Sequence, residues 1–196
     1  MTWPARMVCM MSNARKNILA RLRGAPRPDI SAIGEGAAES HAWDLDERIR
    51  RFTDRMTAVR AEVIETSPAN WIVALQALCE KKGARNLLYS AASPYGEAIG
   101  QQPPVAHPVT ADLESDRWKA TLFHEIDAAL TTTLGGIAET GTLMLWPDAH
   151  EPRMMSLVPP LHIAILEDDK LFNTFAEAVA AMQWSDGMPT NALLIS

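Results

Sequence analysis

The segment TTTLGGIAETGTLMLWPDAHEPRMMSLVPPLHIAI, residues 131–165, constrains the fold more than any other part of the chain. Leu143, Met144, Leu145 and Trp146 form a short continuous apolar run, and Leu161, Ile163, Ala164, Ile165 and Leu166 form a second. Runs of this length without an alternating polar face suit strands buried on both sides, as in parallel sheets covered by helices. Between and before the runs lie the groups that could do chemistry. Gly135, Gly136 and Gly141 let the backbone turn left-handed or approach a ligand closely. Thr140 and Thr142 add hydroxyls, and Glu139 adds a carboxylate. Such a carboxylate at a strand entrance is either a working acid, base or nucleophile, or a turn residue that satisfies nearby backbone N–H groups.

The remaining chain supplies elements that alternate between helix and strand. A short amphipathic helix carrying Ile18, Leu19 and Leu22 ends at Gly24 and Pro26, and a Pro-, Gly-, Ala- and Ser-containing linker follows. Residues 1–40 are therefore expected to form a peripheral extension, and residues 41–196 a single domain. Leu45, Ile49, Phe52, Met56 and Val59 recur at three- and four-residue steps across 44–60, the stripe of a packed helix. Residues 61–65 read as a first strand. Ser67-Pro68 opens a helix over 69–82 that Gly83 stops. Strands are expected at 86–89, at the proline-interrupted edge 105–109, at 126–133 and at 192–195, with helical segments at 94–100 and 114–125. Asp168 and Asp169 suit the positive end of a helix over 171–183. This alternation predicts an α/β fold, an open, mainly parallel sheet with helices on both faces. Ligands in such sheets gather outside the carboxyl ends of the strands, where the loop 134–140 is expected to fall.

Composition excludes several functions. A formal charge of −6 and a pI near 5.4 lack the basic footprint of a nucleic-acid binder. The two cysteines, Cys9 and Cys79, are too few for a zinc site or an iron–sulfur cluster, which take about four soft ligands, so no metal and no cofactor is expected. No stretch approaches the roughly twenty apolar residues of a membrane span, and the start lacks a secretory pattern, so a cytoplasmic location is expected. Gly135-Gly136 fits neither a dinucleotide fingerprint nor a Walker loop. Ser156 has no nucleophile elbow around it, which leaves its hydroxyl as a ligand contact rather than a hydrolase nucleophile. Arg153 is either a bidentate partner for a carboxylate or phosphate, or one half of an ion pair with Asp148, Glu151 or Glu139. His162, set in an apolar strand, is either a hydrogen-bonded core residue or a site residue.

The run GIAETGTLMLW, followed in order by Arg153, Ser156, Leu157 and VPPLHI, resembles the LUD domain of the lactate utilization protein C (LutC/YkgG) family. In that family a GIAxTGT segment precedes an R-x-x-S-L-x-P-x-H-I segment at a similar interval. Arg15, Ile18, Leu19 and Arg23 resemble the family's opening, so the likeness spans most of the chain from about Met11. The family continues past a strand like 192–196 into a Gly-Pro-Ser segment and a Thr-Ala-Asp-Ile run, and this LUD-type domain is expected to lack that C-terminal segment. The resemblance implies a NagB/RpiA/CoA-transferase-like fold. It further implies an accessory or ligand-binding subunit in the oxidation of L-lactate to pyruvate, working with iron–sulfur oxidoreductase partner proteins. The alternative is a stand-alone enzyme of CoA-transferase or sugar-phosphate isomerase type, with Glu139 as the catalytic group. Under either reading a small anionic ligand would be held by Gly135, Gly136, Thr140, Gly141, Thr142, Arg153, Ser156 and His162.

Overall fold

The structure, a computed structural model, describes residues 10–25, 41–102, 106–110, 117–184 and 191–196. Residues 26–40 of the expected linker, and residues 185–190 before the strand expected at 192–195, lie outside the described residues. The chain divides into two units, Met1–Ala38 and Glu39–Ser196. The first contains helix α1 (Met10–Gly24), on which Ile18 and Leu22 are exposed.

The second unit holds two four-stranded sheets. In chain order its elements are α2 (Leu45–Ala58), α3 (Trp71–Lys82), β1 (Asn86–Tyr89), α4 (Gly96–Gln101), β2 (His107–Thr110), α5 (Arg117–His124), β3 (Ala128–Thr132), β4 (Gly135–Ile137), β5 (Thr142–Leu145), α6 (Met154–Leu157), β6 (Leu161–Ile165), β7 (Leu171–Phe172), α7 (Phe175–Ala181) and β8 (Leu193–Ile195). The first sheet is wholly parallel, ordered β2-β1-β3-β6, with the proline-bearing β2 at its edge as expected. Leu87, Tyr89, Ala128 and Leu130 pack on one face against Leu75 and Cys79 of α3 and Ile99 of α4. Leu88 and Ala129 pack on the other against Leu122 of α5 and Met155 of α6. Helices thus cover both faces of the parallel sheet.

The second sheet, ordered β7-β4-β5-β8, is mixed, because β5 runs antiparallel to both β4 and β8. Phe52 and Met56 of α2 pack on Leu143 and Leu145, while Ala178 of α7 packs on Ile137 and Met144. All four residues of β5 are buried, as a continuous apolar run requires.

Three sequence expectations are corrected. Residues 61–65 form no strand: Ala61 and Val63 do alternate inward against the α2 cluster, but among the described residues no neighbouring strand pairs with them. Asp168 and Asp169 do not open a helix. They belong to a 3-10 turn before β7, and the following helix starts at Phe175, where the Thr174 side chain accepts from the Glu177 N–H. Gly135 and Gly136 do not form a loop but sit in β4, where a Cβ on Gly135 would lie 2.7 Å from the Lys170 carbonyl and one on Gly136 2.8 Å from Leu166 Cδ2. Close packing, not left-handed backbone, is what requires glycine there.

Asp127 ties the amino ends of β1 and β3 together. Its carboxylate accepts from the Arg85 backbone N–H and from both Nε and Nη2 of that side chain, at 2.8–2.9 Å. Side-chain hydrogen bonds from Arg85, aided by the backbone one, hold its pKa down at about 2 against an ordinary 3.8. A carboxylate with a depressed folded pKa contributes stability that is fully present above its unfolded value and lost as pH falls through the folded one. The unfolding midpoint of the native chain should therefore drop as pH falls from about 4 to about 2. Asp127→Asn should flatten that limb of a midpoint-against-pH curve, and an unaltered slope would show that the pair is too well solvated to matter.

Candidate functional site

The antiparallel hairpin of β4 and β5 separates the candidate residues into two groups. Its turn carries Glu139, Thr140 and Gly141, with the Gly141 N–H donating to the Ile137 carbonyl at 2.9 Å and Gly141 at φ +67°. Leu145, Trp146 and Pro147, at the far end of β5, line a shallow depression with a cavity volume of about 10 Å³, together with Thr131, Thr132, Glu151, Pro152, Arg153 and Ser156. Three strand residues, Thr142, Leu143 and Met144, lie between the turn and Leu145, so four steps of about 3.3 Å separate Gly141 from the depression, roughly 13 Å. Glu139 and Arg153 therefore stand at opposite ends of the hairpin.

At the turn, Glu139 is exposed, and its carboxylate lies 3.9 Å from His41 Nε2. His41 stacks on Trp43 at 4.2 Å between ring centroids, and the Arg51 guanidinium lies 4.1 Å from the Trp43 ring centre. Thr140 and Thr142 share a hydrogen bond between hydroxyls at 2.6 Å. Glu139 also donates its backbone N–H to the Asn173 carbonyl at 3.0 Å. These are the contacts of a hairpin turn braced against α2 and the β7–α7 connection.

The depression is assembled by the short helix α6 lying on β3 and β6. Met155 is fully buried beneath α6 in the cluster of Leu88, Leu122, Ile126 and Ala129, which places Arg153 and Ser156, on either side of it, at the rim. Ser156 Oγ donates to the Arg153 carbonyl at 3.0 Å. Arg153 is exposed, and among the described residues it enters no ion pair; the carboxylates beside it are engaged elsewhere. Asp148 accepts from the backbone N–H groups of His150 and Glu151 at 2.7 and 2.8 Å. Glu151 Oε2 accepts from both the N–H and the hydroxyl of Thr132, at 2.9 and 2.7 Å, while its Oε1 is buried with no hydrogen-bond partner.

His162 connects to this group through the sheet. Ala129 and His162 are register partners on β3 and β6, and Thr131 Oγ1, which lines the depression, is 2.8 Å from His162 Nε2. Burial pushes the His162 pKa below its ordinary value, so the ring is neutral near pH 7 and either donates to or accepts from that hydroxyl. Arg153, Ser156 and His162 thus share one neighbourhood, and Gly135, Gly136, Glu139, Thr140, Gly141 and Thr142 lie outside it. Sequence reasoning missed Thr131, Thr132 and Glu151. The signal for Glu151 was its place in P-D-x-x-E-P, where an aspartate turn presents it to the end of β3.

Among the described residues no cluster of three or more His, Cys, Asp or Glu side chains forms a metal-binding set, and no helix is long and apolar enough to cross a membrane. Cys79 is a free, buried thiol whose pKa burial raises.

The parallel sheet and its covering helices define an α/β protein, with the depression beside Arg153 near the carboxyl end of β3. The model of the LUD domain matches residues 49–196, and the chain belongs to the LUD-domain family. It is similar to an uncharacterized protein of Neisseria meningitidis serogroup B, 34% identical over 191 residues, covering 94% of this chain and 82% of that one. It is also similar to the lactate utilization protein C of Deinococcus radiodurans, 32% identical over 96 residues, covering 47% of this chain and 39% of that protein. Its fold matches the crystal structure of a DUF162 family protein from Deinococcus radiodurans at a TM-score of 0.64, with 24% identity, 79% of this chain and 89% of that one covered.

Proposed function

We propose that this chain is a ligand-binding accessory subunit in the oxidation of L-lactate to pyruvate, acting beside iron–sulfur oxidoreductase partners that carry the electrons. Membership of the LUD family and the partial likeness to a lactate utilization protein support the pathway. The observation that carries the binding role is the exposed Arg153, free of any ion pair among the described residues at the rim of a depression whose other polar groups are hydroxyls and a carboxylate. A guanidinium so placed pairs with a small carboxylate, because two parallel N–H donors match two carboxylate oxygens. The Ser156 hydroxyl donates to the Arg153 carbonyl and keeps lone pairs that can accept from a ligand O–H, and neutral His162 holds Thr131 in place.

The enzyme reading centred on Glu139 has less support. Its carboxylate stands exposed on a hairpin turn beside His41, about a strand length from Arg153. Calorimetric titration of the purified chain with L-lactate tests the binding role. Arg153→Ala should weaken binding by about 1–3 kcal/mol, the range for losing a charge-assisted bond, with little change in the unfolding midpoint. Equal affinity in the variant, or no binding by the native chain, would remove this role from the depression.

A further inference from the structure

The strongest unassigned feature is the enclosed oxygen of Glu151. Oε2 is saturated by two donors from Thr132, yet Oε1 meets none, in a half-buried side chain that lines the same depression as Arg153. An ionised carboxylate oxygen can only accept, so this atom is open to a donor from a ligand or a bound water. None of the donors that line the depression reaches it: the Arg153 guanidinium and the Trp146 indole N–H make no hydrogen bond to Oε1, the Thr131 hydroxyl is paired with His162, and the Ser156 hydroxyl is committed to the Arg153 carbonyl. A ligand that fits both ends of the site has an anionic group for Arg153 and a hydrogen-bond donor a few ångströms away for Glu151.

We infer that Glu151 is the specificity residue of this site, selecting a 2-hydroxycarboxylate over the corresponding 2-oxocarboxylate. The inference rests on the binding role given to the depression above. A 2-hydroxy acid offers a carboxylate and, one carbon away, an O–H that donates to Oε1. Its oxo counterpart offers a carbonyl oxygen there, an acceptor facing an acceptor. The 2-oxo acid thus leaves the buried oxygen unpaired and adds lone-pair repulsion, the situation in which sites reading a hydroxyl discriminate best. Oε1 is buried in a shallow depression, so a ligand reaches it only when the exposed rim side chains, Trp146 at 44% and Arg153, swing outward. Thr132 is the positioning residue: its two hydrogen bonds fix Oε2 and leave Oε1 directed elsewhere.

Glu151→Gln makes the test sharp, because the amide oxygen can still accept from Thr132 while the amide NH2 replaces the enclosed acceptor with a donor. Calorimetric titrations of L-lactate and pyruvate into the native chain, Glu151→Gln and Arg153→Ala are compared, with far-ultraviolet circular dichroism confirming the fold. The native chain should bind L-lactate roughly tenfold or more tighter than pyruvate, and Glu151→Gln should abolish or invert that order. Arg153→Ala should weaken both ligands together. If the native chain binds the two acids equally, or Glu151→Gln keeps the native ratio while Arg153→Ala weakens both, the role of Glu151 is overturned and the binding site stands. If neither acid binds the native chain, the binding role fails and this inference with it. Should Glu151→Gln misfold, Thr132→Val serves instead: by removing the hydroxyl and leaving Oε2 only the backbone N–H, it should erode the native preference, and an unchanged ratio would overturn the assignment.

Discussion

Gly141→Ala is expected to cost about 2–5 kcal/mol of folding stability, from two separable causes. Its backbone sits at φ +67°, where an L-residue loses roughly 1–2 kcal/mol because Cβ crowds the following carbonyl. A Cβ there would also lie 2.3 Å from Cβ of Arg55 and 3.2 Å from the Met56 nitrogen. Those atoms belong to the stem and backbone of α2, so no flexible side-chain end can swing aside, and overpacking of this kind costs typically 1–3 kcal/mol. Gly83 supplies the control. It ends α3 at the same φ of +67°, but a Cβ added there would meet nothing within 4 Å, so Gly83→Ala should cost only the backbone share. Urea denaturation of the two variants reads the difference directly. Equal costs at the two positions would show that α2 recedes from the turn without penalty. Glu139→Gln, two residues away and exposed, should stay within about 0.5 kcal/mol of the native chain.

The same contrast explains what could be read in the sequence. Strands β1 and β6 have the bounds that the apolar pattern gives, because short β-branched and leucine-rich runs bounded by turn residues leave little alternative. Gly83 stops α3 through a backbone conformation that only local chemistry decides. What failed depended on partners distant in sequence. Residues 61–65 alternate like a strand but have no strand to pair with among the described residues, and pairing is not a local property. Leu171 and Phe172 look helical in isolation, yet β4 recruits them as a parallel edge strand. Gly136 looks like a ligand loop until Leu166 and Leu171 are seen packed against it.

The candidate site divides along the same line. Arg153, Ser156 and His162 lie within one short segment, so a helix laid over the next strand was enough to group them. Glu139 is as near to Arg153 in sequence as many true neighbours are, but the hairpin reverses the chain between them and carries the two groups to opposite ends. Thr132 and Glu151 meet only through the register of β3 against the loop that follows β5, which spacing alone does not encode.

Met155→Ala should be the most damaging single change for the depression itself, although Met155 does not line it. The side chain is fully buried, so its truncation should cost about 2–5 kcal/mol through lost burial and the cavity left behind. The consequence extends further because α6 has only four residues and no side-chain cap, and a helix so short has no independent stability. Its position on β3 and β6 is set chiefly by Met155, the fully buried side chain it inserts among Leu88, Leu122, Ile126 and Ala129, with the partly buried Met154 packed against the same cluster. Loosening that anchor frees Arg153 and Ser156 from their common geometry, so affinity for a small carboxylate should fall along with stability. Leu157→Ala separates this from any general intolerance of α6, since Leu157 is 59% exposed and its loss should cost no more than about 0.5 kcal/mol. Met155→Leu, which nearly conserves volume, should recover most of both losses at a cost below about 1.5 kcal/mol. Thermal unfolding and ligand titration on the same three variants check the linkage. If Met155→Ala lowered stability while leaving affinity intact, the rim residues would have to be held by their own loop, and the Asp148 turn rather than the buried methionine would be what shapes the site.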